Sequence, residues 1–89
     1  MTHKIVAFVP SDKTDLQSYL TSQLSMLANN ILNLETELAD ENDARHKRHS
    51  RTPDRFPCLM LFKDGVYKNH INSKMTDEYA LQWSIGAIG

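Results

Sequence analysis

Leu16, Leu20, Leu24, Leu27, Ile31, Leu34 and Leu38 recur at spacings of 4, 4, 3, 4, 3 and 4. This repeat constrains the fold of the 89-residue chain more than any other feature. The spacing keeps all seven side chains on one stripe of an α-helix, close to a heptad seam from Leu20 onward. Tyr19, Met26, Ala28 and Leu32 widen the stripe, and no Gly or Pro interrupts residues 11–52. The pattern predicts one helix from about residue 13 to the mid-40s, roughly 45–50 Å long at 1.5 Å per residue. Two readings fit such a helix. Either the stripe is the core-facing side of the main helix, or Leu20, Leu24, Leu27, Ile31, Leu34 and Leu38 overhang a small sheet and pair with another chain.

Strands come from the flanks. Ile5–Val9 is an apolar, β-branched run that ends at Pro10, which predicts a strand buried on both faces. Ser11, Asp12 or Thr14 then supplies a side-chain oxygen to cap the helix. Cys58–Phe62 is a second apolar run, and Lys63-Asp64-Gly65 is a turn leading into a returning strand, Val66–Ile71. Ser73 or Thr76 caps a short C-terminal helix that carries Tyr79, Leu81, Trp83 and Ile85. The expected architecture is α/β, in the order β-α-β-β-α, with about three strands, one long helix and one short one. A strand-helix-strand crossover makes Ile5–Val9 parallel to Cys58–Phe62, and the hairpin adds an antiparallel strand. All 89 residues form one domain.

The net charge of −1 hides an uneven distribution. Glu35, Glu37, Asp40, Glu41 and Asp43 precede Arg45, His46, Lys47, Arg48, His49, Arg51 and Arg55. Glu41–Arg45 and Asp43–Lys47 are spaced to pair along a helix, and basic residues suit a helix C-terminus. Arg45, Lys47, Arg48, Arg51 and Arg55 also form a candidate surface for a polyanion, although no aromatic residue is interleaved for base stacking.

The stretch Phe56-Pro57-Cys58-Leu59-Met60-Leu61-Phe62-Lys63-Asp64-Gly65 resembles the C-terminal half of thioredoxin-like proteins. The resemblance implies that Pro57 is the family's cis-proline and that Leu59–Phe62 is the strand following it. Lys63–Gly65 then corresponds to the hairpin turn and Thr76–Trp83 to the last helix. Ile5–Val9 matches the central strand before the family's active-site loop. There the likeness departs from the family. Val9-Pro10-Ser11-Asp12-Lys13-Thr14 holds no cysteine and no Trp, and Cys58 is the chain's one cysteine. The thiolate is the nucleophile in that chemistry, so loss of the cysteine pair removes the reaction. The family's next strand and helix are also not evident between Leu38 and Phe56, which implies a reduced version of the fold.

Other chemistries are poorly supported. His46 and His49 share a helix face, but Lys47 and Arg48 between them oppose a metal cation. Asp12 with Asp15, and Asp40 with Asp43, lack the apolar surroundings that raise a carboxyl pKa. Glycines 65, 86 and 89 build no phosphate loop. No catalytic residues, cofactor or metal are therefore assigned. The apolar run at residues 5–9 is too short for a signal-peptide core, and no segment is long enough to cross a bilayer, so a cytoplasmic origin is expected. The expected function is non-catalytic: a protein-binding or assembly module that self-associates or joins a larger complex, such as a virus or phage particle. The alternatives are polyanion or nucleic-acid contact through residues 45–55, or thiol-redox chemistry at Cys58.

Overall fold

A computed structural model describes residues 2–50 and 55–89. Its elements are β1 (His3–Phe8), α1 (Thr14–Asn30), β2 (Leu34–Ala39), α2 (Ala44–His49), β3 (Cys58–Lys63), β4 (Val66–Ile71) and α3 (Asp77–Ile88). The four strands form one sheet in the order β2-β1-β3-β4.

The long helix is the main correction. It is seventeen residues long and ends at Asn30. Ile31 is extended, and Asn33 takes the left-handed conformation at φ 62°. Asn tolerates that region better than most residues, so the chain turns there at little cost. Leu34–Ala39 then runs as a strand parallel to β1. Among the described residues the sheet thus has four strands rather than about three, with three helices. The expected pairing of Ile5–Val9 also changes. Cys58–Lys63 lies antiparallel to β1, Phe8 opposite Cys58, and the parallel neighbour is β2.

Alternation along β1 divides the core between two faces. Ile5, Ala7 and Val9 meet Leu34, Leu59 and Leu61 beneath α1 and α3, and Leu20, Leu24 and Leu27 fill this side. Val6, Phe8, Cys58, Met60 and Phe62 make the opposite face. Strands buried on both sides read as continuous apolar runs, as β1 and β3 do.

Caps and turns follow local chemistry. Thr76 caps α3 by accepting from the Tyr79 N–H at 3.2 Å. Lys13 occupies the N-cap of α1 without a side-chain bond, and Ser11 is directed elsewhere. Asp64 and Gly65 link β3 to β4 with φ of 51° and 82°, the pair of positive values a tight primed hairpin turn requires. Thr2 clips this turn: its N–H donates to Asp64 Oδ1 at 2.8 Å, and its carbonyl accepts from the Asp64 N–H at 2.8 Å.

Candidate functional site

The first region to weigh is the junction of β1 and α1. The Phe56–Pro57 peptide is cis, as the family resemblance implied. Cys58 lies opposite Phe8 in the ladder, so register brings Pro57 beside the end of β1 and the loop that opens α1. That loop is fixed by polar contacts. The Ser11 N–H donates to Glu41 Oε2 at 2.7 Å and its hydroxyl to Glu41 Oε1 at 2.8 Å. Gln17 Nε2 donates to the Pro10 carbonyl at 3.1 Å. Glu41's own backbone N–H and then Ser11 hold its carboxyl below the ordinary value. These groups offer hydroxyl, carboxylate and amide, with no thiol.

The chain's thiol is elsewhere in the arrangement. Cys58 is wholly buried among Val6, Phe8, Met60 and Phe62. Burial pushes its pKa up to about 12. A reactive cysteine needs the reverse, a lowered pKa and access to solvent.

The second region lies under α2. This six-residue helix begins at Asp43, whose side chain accepts from the Arg45 N–H. His46 is its buried residue, stacked on Phe56 at 4.5 Å and tilted against Phe8 at 5.4 Å. His49 stacks on Tyr67 at 4.3 Å, with rings 6° from parallel. The i,i+3 histidines therefore dock the helix onto the sheet. Their spacing was visible in the sequence, but their aromatic partners were not. Among the described residues, no three His, Cys, Asp or Glu cluster as a metal site would need.

The basic candidates separate. Arg45 is drawn inward: it bonds both Glu37 carboxylate oxygens and pairs with Asp43 Oδ2 at 2.8 Å. Lys4 reaches Glu37 Oε1 at 2.7 Å. Arg45 and then Lys4 hold the Glu37 carboxyl down at about 2, and Asp43 and Glu37 raise the Arg45 guanidinium. The expected Glu41–Arg45 contact is replaced by Glu41–Ser11 and Arg45–Glu37. Lys47 and Arg48 remain exposed on α2, and Arg55 is exposed beyond it. Arg51 lies outside the described residues. A cleft of about 360 Å³ opens between α2 and the sheet, lined by Lys4, Glu35, Arg45, Arg48, His49 and Phe62 among others.

The leucine stripe also separates. Leu20, Leu24 and Leu27 are buried against this chain's own sheet and present nothing to a partner. Ile31 is half-buried and Leu34 is buried at the start of β2. Leu38 remains 40% exposed on the outer strand, and Leu32, just before it, is 90% exposed.

Among the solved structures that resemble this arrangement are two of different origin. Thioredoxin O2 from Arabidopsis thaliana, solved in its oxidized state, superposes with a TM-score of 0.68 at 15% identity, covering 96% of this chain and 74% of that one. The fold is thioredoxin-like. A malarial protein superposes with a TM-score of 0.60 at 14% identity, covering 94% of this chain and 97% of that one. No family model and no curated protein matches the sequence. Within the thioredoxin-like fold this chain has one cysteine and so no CxxC motif. No described helix is long and apolar enough to cross a membrane.

Proposed function

We propose that this thioredoxin-like domain is non-catalytic and serves as a protein-binding or assembly module within a larger complex. One observation carries the reading: the loop from Val9 to Thr14 lacks cysteine, and the lone thiol of Cys58 is buried with its pKa pushed up to about 12. A dithiol exchange cycle needs an accessible thiolate and a second thiol to resolve the mixed disulfide. What remains is a sheet whose outer strand β2 has an unpaired side among the described residues, a form suited to pairing with another chain. The test is turnover in disulfide-reduction and peroxide-reduction assays, comparing the native chain with Cys58→Ala. Equal, background-level rates are expected, and turnover that depends on Cys58 would overturn the reading.

A second reading is contact with a polyanion, supported by the exposure of Lys47 and Arg48 on one short helix. With Arg45 already engaged by two carboxylates, it rests on fewer cations than the sequence pattern offered. Binding that weakens steeply with salt and is lost on replacing Lys47 and Arg48 by Ala would favour it.

A further inference from the structure

The two edges of the sheet differ. On β4 the ladder with β3 shifts register between Leu61 and Phe62, and Lys68 falls in that break. Bulges and lysines are devices that discourage an edge from pairing. On the opposite edge, β2 keeps unbroken register with β1 over all six residues. Among the described residues, no strand pairs with its outer side.

The side chains of β2 suit a copy of themselves. Leu34, Thr36 and Leu38 belong to the face covered by α1, and Glu35, Glu37 and Ala39 to the face covered by α2. Residues directly opposite in an antiparallel pair point to the same face. A two-fold axis at Thr36 satisfies this rule. It sets Leu34 against the partner's Leu38 on one face, and Glu35 against the partner's Glu37 on the other. The first pairing covers Leu38, which is 40% exposed in the single chain. The second meets a Glu37 already bridged to both Lys4 and Arg45. Those two cations, with Lys4 also beside Glu35 in the ladder, offset the carboxylate that the partner's Glu35 meets.

We propose that β2 pairs antiparallel with β2 of a second copy about a two-fold axis at Thr36, joining two four-stranded sheets into one of eight. The proposal deepens the assembly reading above and names this chain as its own partner. An isologous contact of this kind closes as a dimer and does not propagate into a fibre.

The experiment is sedimentation equilibrium of the full chain over a wide concentration range. The native chain gives twice its 10.2 kDa mass. Thr36→Lys sets two ammonium groups opposite each other and weakens the dimer by about fivefold, and Thr36→Glu does the same with two carboxylates. Mixing the two variants restores a heterodimer, because Lys then faces Glu. Circular dichroism verifies that the variants fold. Should either fail, Leu38→Lys at the exposed position takes its place, and slowed amide exchange in β2 at high concentration gives a readout on the native chain. A native chain that stays monomeric overturns the proposal, as does a dimer that the Thr36 variants leave intact or a mixture that stays monomeric. These results leave the non-catalytic reading standing, whereas Cys58-dependent turnover would sink that reading without changing the mass.

Discussion

Cys58 allows a quantitative test of how this domain differs from a redox protein. Its thiol is shifted from 9.0 to about 12 by burial. At pH 8 a thiol of pKa 9.0 is about 9% thiolate and one of pKa 12 about 0.01%, so the attacking species falls by about a thousandfold. A second route reaches the same scale. The side chain is wholly buried, so a reagent otherwise waits for the chain to open. With an opening free energy of about 5 kcal/mol, near the lower end for small domains, labelling slows by roughly 5,000-fold. Reaction with a chromogenic aryl disulfide at pH 8, in buffer and in denaturant, measures the ratio directly. The native rate should be lower by about a thousandfold or more. A native rate within about tenfold of the denatured one, or a rate profile with an inflection near neutral pH, would refute the argument, since both mark an accessible thiol of lowered pKa.

Three further outcomes follow from the same packing. Leu27→Ala empties a fully buried site between α1 and the sheet and should cost about 2–4 kcal/mol in denaturant unfolding, whereas Leu32→Ala, at a 90% exposed site, should stay within about 0.5 kcal/mol. Glu37 titrates at about 2 in the folded chain against an ordinary 4.5, so its contribution is present above pH 4.5 and is lost as pH falls toward 2. Its side chain is 35% exposed, and solvent screening leaves about 1 kcal/mol. Glu37→Gln should therefore lower stability at pH 7 and flatten the decline between pH 4.5 and 2. Thr76→Ala removes the α3 cap and should cost about 1 kcal/mol in thermal unfolding, and Thr76→Ser should recover most of it.

How far the fold could be read from the residues depended on whether local periodicity had a rival. For β1, β3 and the hairpin it had none: Ile5–Val9 and Cys58–Phe62 are too short and too β-branched or apolar to serve as surface helices, and Asp64-Gly65 suits one turn type. At Leu34–Ala39 two periods coincide. Leu27, Ile31, Leu34 and Leu38 continue the helical stripe, yet Leu34-Glu35-Thr36-Glu37-Leu38 alternates apolar or β-branched with acidic residues as a half-buried strand does. The choice is made by tertiary structure. Continuing the helix would have left Leu34 without this core and β1 without its parallel neighbour, whereas Asn33 accepts a positive φ that lets the chain reverse onto the sheet. Asn29 and Asn30 are modest helix formers and were the available hint. The charged segment was legible in composition but not in partnership. Arg45 was expected to pair along its own helix, yet it crosses to Glu37, because β2 places that carboxylate in reach. The strand that the periodicity concealed is thus also what decides the fate of the basic patch. Once Leu34–Ala39 joins the sheet, Arg45 leaves the solvent-facing set, Leu20, Leu24 and Leu27 become core, and the apolar surface left for a partner contracts toward Leu32 and Leu38, beside and on the unpaired outer strand.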